Sequence, residues 1–166
     1  MPPNLPMVIP YDRFAAILYA HKWAFGRNPA YYDFEEIGGD CTNFASQCLY
    51  EGTGVMNYTP DFGWYYISPD NRSAAWSGVQ YLYRFLTSNE NVGPVGVNVD
   101  LSEIKLGDII FLSNGQNLYH SLVVTGFDTD GEILVCAHTM DSYMRRLDSY
   151  MFYATYPVHI EKVNTW

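Results

Sequence analysis

Three residues carry chemistry worth following: Cys41, His120 and His138. Cys41 follows Ile37-Gly38-Gly39-Asp40 and opens Cys41-Thr42-Asn43-Phe44-Ala45-Ser46-Gln47-Cys48-Leu49-Tyr50-Glu51-Gly52. Two glycines permit a sharp turn. Asp40 is placed to cap a helix whose first residue is the cysteine. Phe44, Cys48 and Leu49 share one apolar face, and Gly52 closes the segment. A thiol at a helix start sits among unpaired N–H groups at the positive end of the dipole, a setting expected to favour the thiolate. Asp40 works against that if its charge faces the sulfur. Cys48, two turns on, reads as buried packing.

Cysteine hydrolysis also needs a proton carrier and a polar group to orient it. His120 opens the apolar run His120-Ser121-Leu122-Val123-Val124, which has no packing need for a histidine. Asp128-Thr129-Asp130-Gly131 reads as a hairpin turn leading to Glu132-Ile133-Leu134-Val135-Cys136-Ala137-His138. If Gly131 is a left-handed bulge, Asp128 pairs with Glu132 and His120 lies opposite Met140. His138 is then a same-face diagonal neighbour that orients His120. A two-residue loop instead turns His138 to the other face and makes Asp141 the orienting group. Tyr31, Tyr32, Trp64, Tyr65 and Tyr119 lie in aromatic loops and are candidate substrate contacts.

These groups must be held by one fold. The 166 residues suit a single domain over 11–166 behind an extended proline-rich lead at 1–10. Hydrophobic residues make up 48% and aromatics 17%, which excludes a disordered chain. Helices are expected near 12–25, from Cys41, and over 73–87, with a loop-rich stretch at 53–72 between the last two. Strands are expected over 109–112, 120–127, 132–138 and near 153–161. Helices followed by an antiparallel meander make the class α+β.

Charge narrows the partners. Net charge is −9, and the scattered basic residues argue against nucleic acid. No apolar run is long enough to span a membrane. The first ten residues lack the basic region and apolar stretch of a signal peptide, and compartment and oligomeric state are left open. Three cysteines leave at least one thiol free. No paired CxxC motif points to structural zinc, and neither metal nor cofactor is expected. Two rivals to an enzyme are a glycan- or peptide-binding module on the same fold and a metal site built from Cys41, His120 and His138.

Gly39-Asp40-Cys41-Thr42-Asn43-Phe44, Leu106-Gly107-Asp108-Ile109-Ile110-Phe111 and His120-Ser121-Leu122-Val123-Val124 resemble, in that order, motifs of the NlpC-type cell-wall cysteine peptidases. A nearer resemblance is to the bacterial amidase domain of the same papain-like superfamily. It runs through Tyr11-Asp12-Arg13, Arg27-Asn28-Pro29-Ala30-Tyr31, Gly38 to Cys48, Trp64-Tyr65-Tyr66, Trp76, His120-Ser121 and His138-Thr139. The resemblance implies a papain-like fold with N-terminal helices packed on an antiparallel sheet or half-barrel. It implies Cys41 as nucleophile, His120 as base and His138 as orienting residue. A peptide or peptidoglycan-like amide is the implied substrate.

Overall fold

The structure is a computed structural model that describes residues 6–166. Residues 1–5 of the expected lead lie outside the described residues. In chain order the elements are β1 (Met7–Ile9), α1 (Arg13–Trp23), α2 (Cys41–Thr53), β2 (Tyr66–Ser68), β3 (Asn71–Arg72), α3 (Ala74–Ser77), α4 (Val79–Ser88), β4 (Gly93–Asn98), β5 (Ile109–Ser113), β6 (Leu118–Phe127), β7 (Ile133–Ala137), β8 (Ser142–Arg146) and β9 (Ala154–Thr165). The class is α+β. One antiparallel sheet runs β1-β9-β5-β6-β7-β8, with β4 also paired to β9.

The two faces of the sheet are covered differently. Val123 and Cys136, with Ile109 and Phe111, face the helices and join Phe44, Leu49, Trp64, Trp76 and Leu86 in the main core. Leu122, Val124, Val135 and Ala137 face the other way, into a smaller core with Ile104, Ile110, Leu112 and Leu147. That alternation follows from the two-residue period of a strand, and it later separates the histidines.

Several local expectations change. The third helix is broken in two at Gly78, whose backbone is extended (φ −113°, ψ 126°). A Cβ there would lie 2.8 Å from Tyr81 Cδ2 and 3.0 Å from the Ala74 carbonyl. Gly52 does not end α2; it lets Tyr11 approach, since a Cβ would stand 2.3 Å from that ring. The end is Gly54, left-handed at φ 68°, whose N–H donates to the Tyr50 carbonyl at 2.8 Å. Gly54→Ala is expected to cost about 1 kcal/mol in chemical denaturation, because only glycine takes that backbone freely.

The Gly107-Asp108 corner is a clamp rather than a bare turn. Asp108, fully buried, accepts from Arg13 Nη1 at 2.7 Å, His159 Nδ1 at 2.8 Å, and the N–H groups of Lys105 and Ile160 at 2.8 and 2.9 Å. Tyr11 donates to the Gly107 carbonyl, and Arg13 donates to those of Leu106 and Ile160. The Tyr11-Asp12-Arg13 and Leu106-Gly107-Asp108 segments thus tie α1 to β5 and β9.

Candidate active site

α2 is buried nearly all round from Cys41 to Leu49 rather than along one apolar face. Each polar residue on it is matched to a partner, as buried polar groups must be. Thr42 Oγ1 lies 3.0 Å from Ser121 Oγ. Asn43 donates to Asp40 and to the Tyr32 carbonyl and accepts from Trp76 Nε1. Ser46 donates to the Trp76 carbonyl and accepts from Trp64 Nε1, and Gln47 accepts from the Tyr19 hydroxyl at 2.6 Å. A helix so fastened can hold its first residue still.

Asp40 does not cap that helix with its side chain. Its carboxylate turns away and accepts from the Phe34 N–H, from Asn43 Nδ2 (each 2.9 Å) and from His138 Nδ1 at 2.5 Å. The Asp40 charge is therefore matched by other groups, and the conflict expected with Cys41 is removed by geometry. The Asp40 N–H donates to Thr139 Oγ1 at 3.1 Å. Gly38 and Gly39, at φ 94° and 98°, complete the turn, and a Cβ on Gly39 would stand 2.8 Å from Thr139 Oγ1.

Cys41, buried at the start of α2, is joined to β6 through its neighbour Thr42. Val124 donates to the Asp108 carbonyl, so alternate N–H groups of β6, including that of Ser121, point toward β7. The ladder ends at Val123 and Cys136. The Cys41 sulfur lies 3.8 Å from Thr42 Oγ1, which in turn lies 3.0 Å from Ser121 Oγ on this strand. Thr139 and Met140 hold the turn beside it in left-handed backbone, at φ 59° and 61°.

Burial raises the Cys41 thiol pKa; the Ser121 N–H and the hydroxyls of Thr42 and Thr139 pull it down without reversing the shift. The resting group is a thiol, not the thiolate expected from the helix start alone. Only 6% of the residue is exposed, and desolvation outweighs the end of the helix dipole.

His120 is also buried, and its pKa is lowered to about 4 by burial first and by the Arg145 charge second. Its ring nitrogens have no hydrogen-bond partner among the described residues. Tyr119 lies nearly parallel to the ring at 6.2 Å between centroids, and Tyr150 meets it edge-on at 5.7 Å. An unfolded histidine takes its proton near pH 6.5 and this one near 4, so the unfolded chain binds the extra proton between them. Stability is complete above pH 6.5 and falls as pH drops toward 4, by roughly 3 kcal/mol for this residue. His120→Gln is expected to flatten that part of a stability-versus-pH curve measured by urea unfolding.

The hairpin forms as its residues predict: Asp128 pairs with Glu132, and Gly131 is left-handed at φ 83°. The register continues through Phe127–Ile133 and Gly126–Leu134, then slips by one at Thr125, so that Val124 faces Val135. This bulge corrects the expected pairing of His120 with Met140. Ser121 points to the helices and His120 to the opposite face, whereas His138 follows Cys136 onto the helix side and stacks on Phe44 at 4.1 Å. The two histidines do not share a face. His138 is held by Asp40 and by the Trp23 carbonyl, 2.8 Å from Nε2.

Asp141 is not beside His120 either; it accepts twice from Arg27, at 2.9 and 3.0 Å. Arg27 also reaches Asp33 and Glu35 and touches His138 Nε2 at 3.2 Å. Burial disfavours its charge, but the bonds to Asp141 and Asp33 outweigh that and raise its pKa. Arg27, Thr139 and Ser121 surround the candidate site and were not singled out from the sequence, although each stands in a segment that carries the family resemblance, which was the available signal.

The aromatic candidates divide. Trp64 is fully buried against Trp76 and Phe85, a core residue rather than an exposed contact. Tyr31 packs on Trp76 and Tyr66, Tyr32 is exposed beside Phe34, and Tyr65 leans on Tyr58. Tyr119 is the extra residue of a bulge in β6 opposite Leu112–Ser113, which swings it outward. With Asn114, Tyr150, Met151, Phe152 and Tyr153 it lines an open groove of about 540 Å³ on the His120 side. Hollows of similar size around Leu101 and Phe127, and around Leu18 and Trp23, include none of the groups at Cys41. Among the described residues, no three His, Cys, Asp or Glu side chains converge on a point where a metal ion would be held. No described helix is long and apolar enough to cross a membrane.

Comparison with known proteins matches residues 10–161 to the family described as "Putative amidase domain". The chain belongs to that family. The family description points to amide hydrolysis at a general level. A relative in Bacillus subtilis (strain 168), "Uncharacterized protein YhbB", is 36% identical over 141 residues, which is 81% of this chain. The matched part spans 43% of that relative's length. No solved structure matches the chain.

Proposed function

We propose that this amidase-family protein is a papain-like cysteine hydrolase that cleaves peptide amides through a thioester on Cys41, with His120 as base. One observation carries the reading: Thr42 Oγ1, on the residue after Cys41, lies 3.0 Å from Ser121 Oγ, on the residue after His120, so the helix start that bears the thiol is seated against the strand that bears the histidine.

Both groups rest uncharged, so attack requires the thiol proton to move. His120 takes that proton as Cys41 attacks the carbonyl carbon, and the resulting imidazolium gives it to the departing amine. Water, deprotonated by His120, then releases the acid and restores the thiol. The N–H at the helix start, which the Asp40 side chain does not cap, is suited to the developing oxyanion. His138 acts on the nucleophile side. Through Asp40 it fixes the turn that carries Cys41, while the Tyr119 and Tyr150 rings hold His120. A cell-wall peptide is the substrate that the resemblance to the NlpC-type peptidases favours.

An electrophilic thiol probe tests the assignment. Cys41, slightly exposed, is expected to label at least tenfold faster than Cys48 and Cys136, both sealed in the main core, and His120→Gln is expected to slow it. Equal, slow labelling of all three would favour a binding module with no chemistry.

A further inference from the structure

The face of the sheet that carries His120 also carries a cation without a counter-anion. Arg145 stands in β8 opposite Val135 and so shares that face. Its guanidinium lies 3.7 Å over the Tyr150 ring, Nε donates to Ser149 Oγ at 2.8 Å, and Nη2 donates to the Ser149 carbonyl at 3.1 Å. Among the described residues, no carboxylate pairs with it. Its neighbour Arg146 is paired with both Asp128 and Asp148. In a chain of net charge −9, a fixed and half-buried arginine left without an acidic partner is unusual placement. Tyr150, on which it rests, both meets His120 and lines the aromatic groove.

We propose that Arg145 binds a carboxylate on the leaving-group side of the substrate, so that the protein releases an amino acid with a free α-carboxylate. The proposal rests on the assignment of Cys41 and His120. His120 protonates the departing nitrogen, so what lies beyond that nitrogen falls on the His120 face, opposite the helix that carries Cys41. There it meets Arg145, whose planar fork suits a carboxylate. The groove of Tyr119, Tyr150, Phe152 and Tyr153 takes the amino acid's apolar side chain. A single arginine on an acidic protein suits one negative charge better than several. The step balances: the acyl C–N bond breaks as the Cys41 S–C bond forms, the thiol proton leaves on the amine through His120, and water converts the thioester to acid and thiol. A bound carboxylate also offsets the Arg145 charge that opposes protonation of His120, so the imidazolium formed during attack is favoured when such a substrate is in place.

The test reads binding and does not depend on turnover. N-acetylphenylalanine and N-acetylphenylalaninamide, which differ only in the carboxylate, are titrated calorimetrically into the Cys41→Ala protein. The acid is expected to bind at least tenfold more tightly. Arg145→Met in that background is expected to level the two affinities, and Arg145→Lys to retain part of the difference, with far-UV circular dichroism confirming the fold. Equal affinities, no binding of the acid at millimolar concentration, or a preference that survives Arg145→Met would each overturn the proposal. Failure of the cysteine assignment shows elsewhere, as unselective thiol labelling or as turnover that survives Cys41→Ala.

Discussion

Cys41→Ala is expected to reduce amide hydrolysis by about 10⁴-fold or more, while the melting temperature stays within a few degrees of wild type. Removal of the proposed covalent nucleophile leaves only the catalysis supplied by binding and the proposed oxyanion site, which is why the expected effect is so large. The folding effect is small for a separate reason. The sulfur's own contact is a long one, 3.8 Å to Thr42 Oγ1, and the methyl of alanine leaves the fastenings of α2 through Thr42, Asn43, Ser46 and Gln47 in place. Cys48→Ala and Cys136→Ala provide the contrast. Both sulfurs are in the main core, so these variants lose stability and keep their rate. Liquid chromatography with mass spectrometry on peptidoglycan fragments and N-acyl amino acids, run on all three variants, checks the expectation. Full turnover by Cys41→Ala would end the nucleophile assignment.

Asp40→Ala is expected to destabilise the fold by about 3–5 kcal/mol, as removal of one member of a buried charged network does. The carboxylate is 1% exposed and accepts from Phe34, Asn43 and His138, with Arg27 Nε 3.7 Å away. Its loss strands three donors in the interior, each of which costs desolvation that nothing repays. Asp40→Asn keeps the shape and an acceptor and is expected to cost less, about 1–2 kcal/mol. Urea denaturation at pH 7.5 measures both. Because the Asp40 N–H is bound by Thr139 and the carboxylate by His138, the same change also loosens the turn that aims Cys41. A displacement of about 1 Å there is enough to slow thiol chemistry by about 10²-fold. Slow labelling of Cys41 in Asp40→Asn at a denaturant concentration where the protein is fully folded would separate positioning from stability.

The network residues around Asp40 show why a family motif needs a structure to be interpreted. Asp40, Asn43 and Gln47 lie within one segment and read as a helix start with polar decoration. In the folded protein they are the buried contacts that join α2 to the loop carrying Arg27, Tyr32 and Phe34, to α1 and to His138 at the end of β7. Likewise Asp108 reads as a turn residue, and its partners Arg13 and His159 are far along the chain in either direction. Long-range pairing of this kind has no local signature, because the energy that selects it is the desolvation of a charge and not a backbone preference.

From the sequence by itself came the α+β class, the helix that begins at Cys41, the strands β5 to β7 and the turn at Asp128–Gly131. Each is set by local periodicity and by the backbone that glycine alone allows. The side on which each histidine ends was decided only by tertiary structure. One bulged residue, Thr125, reverses the face of everything beyond it. Its contacts reach beyond the hairpin to β8. Thr125 Oγ1 sits 3.3 Å from both Cys136 Sγ and Met144 Sδ, and Gly126 admits Met144 so closely that a Cβ would stand 2.5 Å from its methyl. Packing against β8 thus accompanies the shifted register, in which His138 meets Asp40 and His120 faces Tyr150 on the side that carries Arg145.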